Sequence, residues 1–224
     1  MKAKLTRGFT LIELLVVITI IAILASLSVP VFSSIQERGQ ITKGTNNARQ
    51  IFMAMKLYAA DNDGSYPVGQ TANEAFRVLF SEQILETEDV FGCPMSDVGK
   101  PDGNIGESPE YQQAVERGEN HWMMVRGLSD SSSGAFPLLF ENALDSSQNP
   151  SWDPTLAGTT ARGRTWRGGK VIIATNDGSV TTYKTETTEG PSPLEKLGDS
   201  SDNIFQRKKV PGILDVEEGG GGSR

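Results

Sequence analysis

The chain has 224 residues, which gives room for one globular domain of ordinary size and one long additional helix. Its 21 Lys and Arg residues against 28 Asp and Glu residues give a formal net charge of −7. Such a charge disfavours nonspecific binding to nucleic acid or to anionic membranes. The single cysteine, Cys93, excludes an intrachain disulfide.

The first predicted element is a long helix that follows a short basic head. Lys2, Lys4 and Arg7 precede an apolar run, and residues 14–35 are 22 residues without a formal charge. At about 1.5 Å per residue, a helix of this length covers a hydrocarbon core roughly 30 Å thick. The basic head predicts a cytoplasmic N-terminus and export of the remainder of the chain.

One carboxylate, that of Glu13, stands at the edge of the apolar run. An ionised carboxylate inside a membrane helix costs on the order of 3 kcal/mol, so it normally has a partner or marks a functional position. Glu13 either extends to the membrane interface, as long polar side chains near helix ends do, or it pairs with a positive group of another chain.

The segment Arg7-Gly8-Phe9-Thr10-Leu11-Ile12-Glu13 resembles the processing site of type IV prepilins and of type II secretion pseudopilins. The resemblance implies that a prepilin peptidase cuts between Gly8 and Phe9 and methylates the new amine of Phe9. It also implies that Glu13 of one copy pairs with this amine in a neighbouring copy. Pro30 stands where the family carries a helix proline, and a proline at this place favours a kink.

Two alternatives to this processing remain open. The basic head and apolar run are also typical of a secretory signal peptide, with cleavage near the small residues Ala25, Ser26 and Ser28. A plain signal-anchored protein has the same pattern. Against the signal peptide, the apolar stretch is long and begins with a glutamate.

The helical pattern continues in amphipathic form to about Asp61, and its stripe Ile51-Phe52-Met55 is predicted to pack on a globular head. Gly39 and Gly44 each weaken the helix by about 1 kcal/mol relative to alanine. They favour either local bending of one helix or a loop between two helices.

The head is predicted to begin with a turn and to contain one short helix and a few strands. Asn73 is a candidate cap for the helix, whose apolar face is Ala75, Phe76, Leu79, Phe80 and Ile84. Short apolar runs bounded by turn residues predict strands at 121–125, 135–140, 170–175 and 180–185.

The last two of these strands flank Asn176-Asp177-Gly178-Ser179, in which an Asp-Gly pair predicts a tight hairpin turn. The hairpin also resembles the last hairpin of many pseudopilin-like proteins. Residues 97–120 and 145–169 are polar and rich in turn residues, which predicts long irregular segments. The chain from Glu186 reads as a polar tail.

The sequence contains no recognisable catalytic constellation. Cys93 is interpreted as a packed small side chain, and the only histidine, His121, has no partner motif around it. Arg162, Arg164 and Arg167, interleaved with Trp166, indicate a solvated loop or contact with an anionic partner. No cofactor is predicted, although scattered acids leave calcium open: Asp97, Asp102, Asp199 and Asp202.

Together these features predict an α+β fold, in which a long N-terminal helix packs on a small antiparallel sheet. The predicted segments are a leader at 1–8, a transmembrane or filament-core helix at 9–35, an amphipathic continuation at 36–62, a head at 63–190 and a tail at 191–224. The protein is predicted not to be an enzyme.

The resemblance implies a structural subunit of a type II secretion pseudopilus, anchored by a single pass in the inner membrane with its head in the periplasm. Its partners would be prepilin peptidase, other copies, related pseudopilins and the inner-membrane assembly platform, without nucleic acid. A type IV pilus subunit, an adhesive minor pilin that binds through the irregular segments, and a membrane-anchored exported enzyme remain alternatives.

Overall fold

The computed structural model describes residues 10–94 and 99–218. Gly8 and Phe9, between which cleavage is predicted, lie outside the described residues, as does Asp97. The chain forms two compact units, the first ending at Gly39 and the second beginning at Gln40.

The helix α1 extends over Leu11–Asp61. Its backbone is helical through Gly39 and Gly44, so the alternative with a loop and two helices is wrong. Pro30 also lies within the helical range, and the kink expected there stays a prediction.

The first unit carries its apolar side chains on the outside. Eleven large apolar residues from Leu11 to Leu24 are exposed, by between 45% and 83% of their surface. Among the described residues, no helix has the length and apolar character needed to cross a membrane. The transmembrane assignment of residues 9–35 stays a prediction.

The second unit contains a five-stranded sheet, and all its strand pairs are antiparallel. The strands are β1 Trp122–Val125, β2 Pro137–Glu141, β3 Lys170–Thr175, β4 Val180–Lys184 and β5 Ile213–Leu214, in the order β4-β3-β2-β1-β5. The four predicted strands are confirmed to within two residues at their ends. The sheet and α1 together confirm the α+β class.

In the described residues two shorter α-helices accompany the sheet, α2 at Ala72–Ser81 and α3 at Ile204–Lys208, with 3-10 turns at Asp89–Phe91 and Pro154–Leu156. The N-cap of α2 is Thr71, whose hydroxyl accepts a hydrogen bond from the Glu74 amide at 3.1 Å. The cap predicted at Asn73 is therefore wrong. Asn73 is fully buried, and its side-chain amide donates to the carbonyls of Val115 and Glu116.

The part of α1 within the second unit buries Ala48, Ile51, Met55 and Ala59 completely. These residues recur at helical spacing and form one face of the head's core, as the predicted stripe requires. Gly44 allows this face to lie close to the sheet, because a Cβ atom added there would be 2.8 Å from Cδ1 of Ile172 in β3. An alanine at this position would therefore require the terminal methyl group of Ile172 to shift.

The β3–β4 turn lies where the sequence predicts it, but only one residue of its Asp-Gly pair has a positive φ. Gly178 has φ +84°, whereas Asp177 does not adopt a positive φ. The Asp177 carboxylate instead accepts hydrogen bonds from the Ser179 amide at 3.0 Å and the Thr175 hydroxyl at 2.6 Å. The aspartate therefore shapes the turn through its side chain.

Residues 191–218, which the sequence assigns to a polar tail, are part of the head. Phe205 of α3 is fully buried, and its ring lies 4.9 Å from that of Phe140 and 6.1 Å from that of Trp152, measured between centroids. Leu214 of β5 pairs with Met124 of β1. The sparse apolar residues of this polar segment therefore complete the core.

Candidate functional site

The start of α1 is fixed by hydrogen bonds between Thr10 and Glu13. Oε2 of Glu13 accepts from the backbone amide of Thr10 at 2.8 Å and from its hydroxyl at 2.7 Å. The Thr10 hydroxyl in turn accepts from the Glu13 amide at 3.3 Å. This reciprocal pattern is a capping box, which satisfies amides that the first helical turn leaves without partners.

The capping box gives Glu13 a partner within its own chain, in addition to those that the sequence suggested. Its signal is visible in the sequence, since a threonine followed three residues later by a glutamate before an apolar run is the usual spacing. Ile12, Val16 and Val17 line a groove beside Glu13. The exposed carboxylate of Glu13 therefore stands beside an apolar groove.

The head contains a second group of polar residues, which is buried. Cys93, His121 and Glu141 offer ligand-type atoms that all lie within 4.8 Å of one another. Arg164 joins them, because its Nη2 donates to the sulfur of Cys93. We call these four residues the buried cluster. Cys93 retains 9% exposure, whereas the other three retain at most 2%.

Glu141 is the acceptor at the centre of the buried cluster. Its carboxylate accepts from Nε1 of Trp166 at 3.0 and 2.9 Å and from the backbone amide of Ile172 at 2.8 Å. Nε2 of His121 lies 3.3 Å from Oε1. These donors compensate the carboxylate for the water that it loses on burial.

The side-chain amide of Asn142 also holds the His121 ring. Nδ2 of Asn142 donates to Nδ1 of His121 at 3.1 Å, while Oδ1 of Asn142 accepts from the Gly163 amide at 3.1 Å. Gly163 thereby fixes the orientation of Asn142, so that in the neutral ring Nδ1 carries the lone pair and Nε2 the proton.

Burial lowers the pKa of His121, and the neighbouring Cys93 and Glu141 raise it, to about 9. The contact with Asn142 lowers the pKa of His121, because a proton on Nδ1 would face the NH2 group of the Asn142 side chain.

Cys93 lies between two basic side chains. Burial raises the pKa of its thiol, whereas His121 and Arg164 lower it, and the net direction is downward. The Arg164 guanidinium also lies over the Trp166 ring, 4.9 Å from its centroid. Nε of Arg164 is buried and has no hydrogen-bond partner among the residues the structure describes.

The sequence did not reveal the buried cluster. Its members come from a loop, the residue before β1, the last residue of β2 and a second loop, so their separation along the chain has no fixed period. The sequence left Cys93 and His121 without a recognisable connection, and the fold brings them together, with the His121 amide donating to the Phe91 carbonyl at 2.9 Å. Cys, His and Glu are common ligand types for transition metals, but here their hydrogen-bonding atoms are largely engaged within the protein.

The scattered acids considered for calcium are only partly brought together. Asp102 lies with the buried Glu88 and Glu119, with oxygens within 4.8 Å of one another. Asp199 and Asp202 join no such group in residues 10–94 and 99–218.

Each of the three grouped carboxylates accepts at least one backbone amide. Burial raises the pKa of Glu119, and the charges of Glu88 and Asp102 add to this.

The arginine-rich loop has internal partners. Arg162 pairs with Asp215 at 2.7 Å and with Glu218 at 2.6 Å. Arg164 belongs to the buried cluster. The loop therefore uses at least these two guanidinium groups within the head, which weakens the hypothesis of an anionic partner.

Comparison with known proteins places the helix start in a family. Residues 4–29 match the prokaryotic N-terminal methylation motif. The type IV major fimbrial protein FimA of Dichelobacter nodosus is 33% identical over 113 residues, which are 50% of this chain and 67% of FimA. The type II secretion system core protein G of Pseudomonas aeruginosa is 37% identical over 75 residues, 34% of this chain and 52% of that protein.

The type IV major pilin protein PilA of Myxococcus xanthus is 39% identical over 57 residues, 25% of this chain and 26% of PilA. The chain spans about a quarter to a half of the length of three curated relatives that it matches. No solved structure matches it.

The motif at the helix start and the α+β head define a pilin-like protein. This chain belongs to the family of type IV pilins and pseudopilins.

Proposed function

We propose that this protein is a structural subunit of a type II secretion pseudopilus that assembles through its N-terminal helix. The observation that carries the proposal is the exposed apolar surface of residues 11–24, which begins at the Thr10–Glu13 capping box. Such a surface is stable only when a bilayer or other apolar helices cover it.

Before assembly, a bilayer would cover this surface. The chain would then lie in the inner membrane with a single pass over residues 9–35, its N-terminus in the cytoplasm and its head in the periplasm. Prepilin peptidase would cut between Gly8 and Phe9 and methylate the Phe9 amine. The match of residues 4–29 to the methylation motif supports this processing.

In the filament, the helices of other copies and related pseudopilins would replace the lipid, with help from an inner-membrane assembly platform. A head-to-tail interface that does not close into a ring generates a helical polymer. Glu13 would then exchange its contact with Thr10 for the Phe9 amine of a neighbour. A lone charge in an apolar interior is costly, so pairing two charges that are already out of water is favourable.

The choice of a secretion pseudopilus rests on two observations. The chain aligns with the secretion core protein G of two bacteria, at 37% and 32% identity. Its single cysteine cannot close the C-terminal disulfide loop typical of many type IV pilins. A type IV pilus subunit is the second candidate, because FimA is aligned over 67% of its own length.

The proposal is tested with Glu13→Ala in cells that contain the complete assembly machinery. The variant should insert into the membrane but should give at least about tenfold less cross-linked filament, because the amine of the neighbour loses its counter-charge. Glu37→Ala, which removes one carboxylate from the same helix, is the matched control and should assemble normally.

Mass spectrometry of the membrane-purified protein supplies the second measurement. The expected N-terminal residue is N-methylated Phe9. An intact leader, a terminus near Val29, or normal assembly of Glu13→Ala would contradict the proposal. Deletion of the gene distinguishes the two candidates, since a pseudopilin is needed for secretion of exported enzymes and a pilus subunit for surface filaments.

A further inference from the structure

The buried cluster has two atoms whose bonding capacity is unused. Glu141 and His121 have their hydrogen-bonding atoms engaged by Trp166, Ile172 and Asn142. The sulfur of Cys93, in contrast, has a lone pair beyond its contacts with Arg164 and His121, and Nε of Arg164 has no partner in the described part of the chain. A nucleophilic sulfur and a buried unused donor therefore lie side by side.

The two features belong to one edge of a guanidinium group. Nε and Nη2 form a planar fork whose N–H bonds point in the same direction. Nη2 donates to the Cys93 sulfur, and one of its two N–H bonds shares this edge with Nε–H. An oxygen atom attached to the sulfur on this edge would give Nε an acceptor.

We propose that Cys93 is a site of oxidation by hydrogen peroxide, and that Arg164 holds the oxygen of the sulfenic acid product. This proposal goes beyond the assembly function and does not depend on it, since the cluster lies entirely within the head.

The reaction begins with loss of the thiol proton to solvent. The thiolate sulfur attacks one oxygen of the peroxide, an S–O bond forms, and the O–O bond breaks. The departing hydroxide takes up a proton and leaves as water. Sulfur loses two electrons and the peroxide gains two, so that thiol and peroxide become sulfenic acid and water.

The surroundings favour the reactive form of the sulfur. Thiolates are the nucleophiles in such reactions, and cationic neighbours stabilise them. Arg164 keeps its positive charge at every physiological pH. Cys93 is the most exposed member of the buried cluster, at 9%, and hydrogen peroxide is only slightly larger than water.

The alternative of a metal ion fits the same atoms less well. A metal ligated by His121 and Glu141 would have to displace the hydrogen bonds to these side chains, and it would lie near the Arg164 cation. A metal also leaves the unused Nε–H without an acceptor, whereas an oxidised sulfur supplies one.

The test uses the full chain in detergent, with hydrogen peroxide as oxidant and a dimedone probe that labels sulfenic acid. Mass spectrometry of the Cys93 peptide measures the rate. The native chain should be labelled about tenfold faster than the chain unfolded in guanidinium chloride, where the thiol has no cationic neighbour. Cys93→Ser supplies the unlabelled baseline.

Two arginine variants locate the effect. Arg164→Met should slow labelling about tenfold, and Arg164→Lys should restore part of the rate because it keeps the charge. Arg117→Met, at an exposed position outside the cluster, should leave the rate unchanged.

Slower labelling of the native chain than of the unfolded chain would overturn the proposal without need of any variant. A folded Arg164→Met variant with the unchanged rate would also overturn it. The proposal would likewise be overturned if each native chain bound one zinc ion tightly and the Cys93→Ser variant bound none.

Discussion

The first unit exposes apolar side chains, whereas the second buries polar ones. Residues from Leu11 to Leu24 present large apolar groups outward, beside one carboxylate at the helix start. The head places Glu141, Arg164 and His121 almost completely out of contact with solvent. Each unit thus departs from the usual partition of residues in a soluble domain, and in opposite directions.

The difference shows whether the groups of each unit are satisfied by other molecules or by residues of the same chain. Exposed apolar surface can be satisfied only by something outside the chain, either lipid or further copies. Buried polar groups must be satisfied from within, and the hydrogen bonds around Glu141 and His121 do this. The first unit therefore leaves its apolar surface uncovered within the chain, whereas the second provides hydrogen bonds for most of the polar groups of the buried cluster.

The largest expected effect comes from a matched pair of phenylalanines, one in each unit. Phe205→Ala should lower the free energy of unfolding by about 4 kcal/mol, because it leaves a cavity beside Phe140 and Trp152. Phe32→Ala should leave head stability unchanged, since Phe32 is 65% exposed. Denaturant unfolding of the full chain in detergent, followed by tryptophan fluorescence, measures both. An equal loss of unfolding free energy in the two variants would contradict the expected difference between the two units.

Alanine substitutions at two glycines of α1 are expected to change stability by a smaller amount and in opposite directions. Gly44→Ala should destabilise the head by about 1 kcal/mol, because the strain of overpacking against Ile172 exceeds the gain in helix propensity. Gly39→Ala has nothing within 4 Å of its new Cβ atom and should add about 0.5–1 kcal/mol to helix stability. Circular dichroism during thermal unfolding compares the two. Stabilisation by Gly44→Ala would show that the helix can move away from β3.

The smallest effect is expected from calcium. The Glu88 and Glu119 carboxylates already accept backbone amides, so chelation by EDTA should leave the unfolding temperature unchanged within about 1 °C. Glu88→Gln is the control variant. A rise of several degrees with millimolar calcium, absent in this variant, would instead establish a cation site in the head.

Much of the fold is accessible from the sequence because it depends on local patterns. The amphipathic stripe around Ile51, the four strand runs and the Asp-Gly turn are periodic or short-range signals. The cap at Thr71 was missed because Asn73 is an equally good cap by residue type, and only the tertiary contacts with Val115 and Glu116 distinguish them.

The same distinction between local sequence signals and tertiary contacts applies to the two candidate sites. The segment around Glu13 is contiguous, so its meaning can be read from one stretch of chain. The buried cluster depends on pairing between distant strands, which brings residues 93, 121, 141 and 164 together without any sequence period. The polar composition of residues 191–218 hid α3 and β5, because a few apolar side chains suffice when each is fully buried.

The position of β5 has a consequence for how the head is made. Ile213 and Leu214 pair with Val125 and Met124, so the first strand of the sheet acquires its outer neighbour about 90 residues later. During synthesis β1 leaves the ribosome long before this neighbour exists. The head therefore completes its sheet only after translation has passed residue 214, and until then this edge of β1 is open to a chaperone or to a wrong partner.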